Sequence, residues 1–162
     1  MSAPAFQSHD HAACIDSAVA AAAARCAQQG LQFTEVRRRV LELLLAEHRA
    51  MGAYDILDKL RAEGRGAQPP VAYRALDFLV KHGFAHRIER LNAFTACVQP
   101  GQDHSPAFLI CRACSSVAEA EAGPGRALGQ AAAAQGFTIE QTVVEAEGLC
   151  PNCADTAERD DA

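Results

Sequence analysis

Residues 53–98 read AYDILDKLRAEGRGAQPPVAYRALDFLVKHGFAHRIERLNAFTACV. Over Ala53–Ala62 the apolar residues Ile56, Leu57 and Leu60 recur at helical spacing, with Asp55, Asp58 and Arg61 on the other side. The glycine-containing segment Glu63–Gln68 closes that helix. Pro69 and Pro70 suit the first turn of a second helix, where a missing N–H costs nothing, and Ala72, Leu76, Leu79 and Val80 are expected to point inward until Gly83 ends it. Two runs, Phe84–Glu89 and Ala93–Val98, flank a turn at Arg90, Leu91 and Asn92 and predict a hairpin. Helix, turn, helix, hairpin is the order of a winged helix-turn-helix.

Toward the N-terminus, Met1–His11 reads as a loose tail, and the alanine-rich stretch from about Ala12 to Gln29 predicts an appended helix ended by Gly30. Thr34 can cap the next helix, whose face of Val36, Val40, Leu41, Leu43, Leu44 and Leu45 lies beside Arg37, Arg38 and Arg39. That basic triplet is expected to face solvent, at least in part. Toward the C-terminus a hinge linker is expected at 99–106. Strands then follow at Ala107–Cys111 and near Ser116–Ala120, a helix at Gly125–Gln135 and a strand at Phe137–Glu145. The fold class is α+β, a winged-helix domain over 12–98 and a smaller one over 107–155, with a tail at 156–162.

With 49% hydrophobic and 22% charged residues, a chain of 162 residues can bury one moderate core or two small ones, which excludes a disordered chain. No run approaches the roughly 18 to 20 uncharged apolar residues of a membrane span, so a soluble, cytoplasmic protein is expected. The formal charge of −5 hides a division: Leu31–Arg90 carries 11 Lys and Arg against 8 Asp and Glu, whereas Leu91–Ala162 carries 3 against 10. Phosphate binding depends on local charge, so the first half is the DNA-facing candidate.

Seven cysteines is an odd number for a disulfide framework. Cys111 with Cys114, and Cys150 with Cys153, form two CxxC pairs separated by 35 residues. Two such knuckles can direct four thiolates to the corners of a tetrahedron around Zn²⁺, and a closed four-sulfur shell leaves no position for substrate. That site is structural. Cys14 and Cys26 have no partner at useful spacing and read as helix-packing or exposed thiols, while His9 and His11 read as part of a solvated tail.

The runs AYDILDKL (53–60), PPVAYRALDFL (69–79) and GFAHRIE (83–89), followed by the two CxxC pairs, resemble the ferric uptake regulator (Fur) superfamily and, within it, the zinc uptake regulators (Zur). The resemblance covers nearly the whole chain, with AYRAL in place of the commoner TVYRAL. It implies a homodimeric repressor, not an enzyme, that binds a palindromic double-stranded DNA operator when loaded with metal and controls zinc uptake genes. The 107–155 domain would be the dimerisation domain. The recognition helix would then be Pro70–His82, with Tyr73 and Arg74 in its first turn. An arginine there can donate two hydrogen bonds to guanine, which makes Arg74 the specificity candidate. By the same resemblance Tyr54 approaches the DNA, and His86, Cys97, His104 and Glu119 are the ligands of a second, regulatory zinc.

Two zinc ions per subunit are therefore expected, one structural and one regulatory. A set of one thiolate, two imidazoles and one carboxylate suits tetrahedral Zn²⁺ better than the nitrogen and oxygen sites preferred by Fe²⁺ or Mn²⁺. Glu121 shares the strand face of Glu119 and is the competing carboxylate. Asp58 and Arg61 could link neighbouring dimers, or could merely form a pair within their helix. The alternatives are an iron- or peroxide-sensing member of the same superfamily and, from another class, a zinc-dependent enzyme using Cys97 with His86 or His104. No oxyanion loop or phosphate-cradling glycine run is present to support an enzyme, and no membrane or small-molecule partner is expected.

Overall fold

The structure, a computed structural model, describes residues 11–47, 49–102, 104–121 and 125–160. Of the tail expected over Met1–His11, residues 1–10 with His9 lie outside them, whereas His11 opens the first helix; the last two residues of the C-terminal tail also lie outside. The chain divides into two compact units, one ending at Gly101 and the other beginning at Gln102.

In the first unit α1 (His11–Gln28), α2 (Glu35–Ala46), α3 (Ala53–Ala62) and α4 (Pro69–Lys81) precede a hairpin of β1 (Ala85–Ile88) and β2 (Ala93–Ala96). Gly30, at φ +66, turns the chain after α1, as only glycine does without strain. Thr34 caps α2 by accepting from the Arg37 N–H at 3.4 Å. The hairpin pairs Ala85 with Ala96 and Ile88 with Ala93, and Asn92, at φ 47, forms its turn. Met51 exchanges two 2.8 Å backbone hydrogen bonds with Phe94, which ties the hairpin to the residues entering α3.

One core joins these elements. Leu44, Ile56, Leu57, Leu60, Leu76 and Leu79 are fully enclosed, each contributing about 1.5–3 kcal/mol of burial. Ala22 and Cys26 belong to the same cluster, so α1 is packed into the domain and is no appendage. Cys26 is only 1% exposed, and burial raises its thiol pKa, whereas Cys14 is exposed.

One expectation fails here. Val80 faces outward; the buried face of α4 is instead Ala72, Ala75, Leu76, Phe78 and Leu79. At 100° per residue those five form one stripe and Val80 falls on its rim beside Tyr73. The basic triplet faces solvent in part, as expected, but it is half-buried and its cationic groups are engaged within the domain. Arg37 lies 3.7 Å from the centroid of Phe78 and also donates to the Gln32 carbonyl, and Arg38 sits 5.3 Å from that of Phe33. Arg39 joins Glu42 and Glu63 at 2.7 and 2.6 Å. Their cationic groups stack and pair, as aromatic faces and carboxylates nearby permit.

The second unit is a three-stranded sheet in the order β4–β3–β5, with β3 (Pro106–Cys111) antiparallel to β4 (Val117–Glu121) and parallel to β5 (Val144–Gly148). A parallel neighbour requires a crossover, which α5 (Arg126–Ala134) supplies. The strand expected at Phe137–Glu145 begins only at Val144; residues 137–143 carry the chain from α5 back to the sheet edge. Their β-branched residues look strand-like, but hydrogen-bond pairing with β3 starts at Ala107 opposite Val144. The C-terminal tail is also corrected: α6 (Pro151–Asp160) continues through most of it, opened by a proline at its first position. No helix among the described residues is long and apolar enough to cross a membrane.

Candidate metal centres and nucleic-acid interface

Sheet register builds the first metal centre. Cys111, the last residue of β3, lies opposite Gly148 of β5, two residues before Cys150. The Arg112 N–H donates to the Gly148 carbonyl at 2.9 Å, and Ser115, at φ 60, turns the first CxxC back into β4. Cys153 sits in the first turn of α6, its N–H donating to the Cys150 carbonyl at 3.0 Å. One sulfur from each of Cys111, Cys114, Cys150 and Cys153 lies within 4.8 Å of the others.

The Cys114 and Cys150 sulfurs are 3.8 Å apart, which matches the edge of a tetrahedron with Zn–S bonds of about 2.3 Å. Backbone N–H groups, first that of Cys150 at 3.4 Å, donate to the Cys111 sulfur and pull its pKa down to about 6. The Ser116 hydroxyl, 3.1 Å from the Cys114 sulfur, lowers that thiol as well. Cys153 is pushed up to about 12, with hydrogen bonding to Cys150 the largest cause. Four sulfurs packed this closely resist sharing negative charge until a cation neutralises them, and N–H donors to thiolates are what a Zn²⁺ site requires. The donor set fits a closed four-sulfur zinc.

The second predicted set is formed pairwise inside each unit. In the first unit, His86 on β1 faces Thr95, and Cys97 follows β2 by one residue, its N–H donating to the Phe84 carbonyl at 3.0 Å. This diagonal arrangement puts an imidazole nitrogen of half-buried His86 within 4.8 Å of the buried Cys97 sulfur.

In the second unit, His104 Nε2 lies 2.7 Å from Glu119 Oε1, with both side chains under a tenth exposed. The Gln102 carbonyl, 2.8 Å from Nδ1, accepts that ring proton. This hydrogen bond is the largest cause of the raised His104 pKa and, opposed by burial, acts together with Glu119. It also selects the tautomer whose Nε2 lone pair can bind a metal, the orientation that metal-ligating histidines use. Glu121 is exposed at the end of β4, so Glu119 is the carboxylate that meets the histidine.

The DNA candidates lie on the outer surface of the first unit. Tyr54 and Tyr73 are 64% and 43% exposed, values that rule out core packing for either ring. Both line a cleft of about 470 Å³ among α3, α4 and the hairpin, together with Asp77, Lys81, Arg87 and Asn92. Arg74 is exposed on the same helix, with its Nε donating to the Pro70 carbonyl at 3.2 Å. Sequence reasoning missed Asp77, Lys81 and Arg87. The first two stand four residues apart on the polar face of α4, a signal present in the pattern, while Arg87 needed the hairpin register. Asp58 and Arg61 pair within α3 at 3.8 Å and remain exposed.

A profile of the ferric uptake regulator family matches residues 28–147. The zinc uptake regulation protein of Escherichia coli (strain K12) is 40% identical over 132 residues, covering 80% of this chain and 77% of its own. Among solved structures, a zinc uptake regulator complexed with zinc and DNA superposes with a TM-score of 0.85 at 38% identity, covering 89% of this chain and 97% of that one. Holo XcZur superposes with a TM-score of 0.75 at 39% identity, covering 86% and 98%.

Proposed function

Because this chain belongs to the ferric uptake regulator family, we propose that it is a zinc-responsive transcriptional repressor, binding palindromic operator DNA as a homodimer and controlling zinc uptake genes. The observation that carries the reading is the separation of the donors: a thiol–imidazole pair in the DNA-reading unit and an imidazole–carboxylate pair in the other. Its similarity to a zinc uptake regulator solved with zinc and DNA supports the same conclusion.

Each subunit would hold two zinc ions. Cys111, Cys114, Cys150 and Cys153 would hold the structural one, and His86, Cys97, His104 and Glu119 the regulatory one. Zinc supplies, when bound, a set of strong directional bonds to four donors. Cys97 and His86 would thereby couple the hairpin to the unit that carries His104 and Glu119. Tethering the DNA-reading units in one arrangement raises the population in which two copies of α4 meet half-sites about one helical turn apart. Tyr54, Tyr73 and Arg74 would contact the DNA.

The homodimer has its own support. Helix α5 buries none of its residues, and Leu109, Leu128, Phe137 and Val143 leave the second unit with large exposed apolar side chains. A groove of about 550 Å³ between α5 and residues 137–143 is lined by several of them. A second copy would cover this surface, as an isologous dimer does. Asp58 and Arg61 would be available to contact a neighbouring dimer.

The test is binding to a palindromic operator fragment while free zinc is buffered over a wide range, with Cys97→Ser and Cys111→Ser in parallel. Zinc should switch binding on, Cys97→Ser should stay folded and unresponsive, and Cys111→Ser should lose the second unit. Binding indifferent to zinc would end the zinc-sensing assignment. Activation by Fe²⁺ or Mn²⁺ at lower free concentration than Zn²⁺ would move the chain to an iron-sensing role.

A further inference from the structure

Asp77 is a carboxylate on a surface that should attract phosphate. The outward positions of α4 include Tyr73, Arg74, Asp77, Val80 and Lys81, whereas Ala75, Leu76, Phe78 and Leu79 are buried. Asp77 also walls the cleft lined by Tyr54 and Tyr73. Arg74 and Lys81 lie three residues before it and four after it, within reach on a helix, yet among the described residues the Asp77 carboxylate has neither an ion pair nor a hydrogen bond.

We propose that Asp77 is a further specificity-determining residue of the operator interface, accepting a hydrogen bond from the exocyclic amine of a cytosine in the major groove. The inference rests on the DNA-binding function proposed above. A carboxylate there is repelled by phosphates and so lowers affinity for DNA in general. Among base edges in the major groove, cytosine offers only a donor, its N4 amine; guanine offers acceptors, and thymine an acceptor and a methyl group. Asp77 therefore rewards cytosine and penalises guanine and thymine at one position, the combined attraction and repulsion from which specificity is built.

Spacing assigns the base pair. Asp77 follows Arg74 by three residues, about 4.5 Å along the helix, close to the roughly 3.4 Å between successive base pairs. With Arg74 on guanine, Asp77 meets an adjacent step.

The experiment is selection of bound sequences from a random duplex library by the full chain loaded with zinc, comparing wild type, Asp77→Asn, Asp77→Ala and Arg74→Ala. Wild type should prefer cytosine at one position per half-site by about 5- to 150-fold, as a good base contact does. Asp77→Asn should move that preference to adenine, because an amide can both donate to N7 and accept from N6. Asp77→Ala should flatten it, both Asp77 variants should bind non-operator DNA more tightly, and Arg74→Ala should flatten a neighbouring position. An unchanged preference at every position in both Asp77 variants overturns the assignment of Asp77 and leaves the repressor intact. A wild type that selects no sequence with zinc present overturns the DNA-reading function itself, and Asp77's role with it.

Discussion

A single side chain can distinguish the two candidate metal centres. Cys97 is buried beside His86 in a unit whose core is complete without it, so Cys97→Ser should leave thermal unfolding within about 1 kcal/mol of wild type while abolishing zinc-dependent operator binding. Arg74 is anchored by the Pro70 carbonyl, and Arg74→Ala should cost about 1–3 kcal/mol of discrimination at one base position; a uniform loss across sequences would instead identify a phosphate contact. The Arg39–Glu63 pair is a structural counterpart. Hydrogen bonding from Arg39 holds the Glu63 carboxyl below its usual range, so its stabilisation is present above the unfolded carboxylate pKa and is lost as pH falls through the folded one. Glu63→Gln should therefore lower stability by up to about 1 kcal/mol near neutrality, and denaturant midpoints of variant and wild type should converge in acid.

Elements bring the candidate metal donors together through register rather than sequence proximity. The hairpin places Cys97 diagonal to His86, and the β3–β5 pairing places Cys111 against the approach to Cys150. The five-residue buried stripe of α4 presents Tyr73, Arg74 and Asp77 outward by clamping the opposite face. Leu76 is fully enclosed, and Leu76→Ala should destabilise the first unit by about 2–5 kcal/mol in urea unfolding, with operator binding falling only as the folded fraction falls. A loss of affinity in fully folded protein would show that α4 is repositioned rather than loosened.

For the molecule as a whole, the second unit has a small core of few side chains, Ala107, Phe108, Ile110, Val117 and Ala118 beside the cysteines, so a bound zinc would supply a large share of its stability. Removing all zinc should therefore abolish the strand and α6 contribution to far-UV circular dichroism and dissociate the proposed dimer, while the first unit keeps its helices; a dimeric mass that survives full removal would contradict this. The winged helix and the four-sulfur centre were legible in the sequence because helical periodicity, proline and glycine punctuation and CxxC spacing are local signals. The exposed Val80, the commitment of Arg37, Arg38 and Arg39 to stacking and ion pairs, and the continuation of α6 were not, since each depends on neighbours distant in the chain. The pairing of His104 with Glu119 was named only through family resemblance. What sequence alone determined is which residues have the chemistry to bind zinc and DNA. What only tertiary structure decided is which of them are free to do so, because burial and competing partners are set by the packing of segments that no local pattern records.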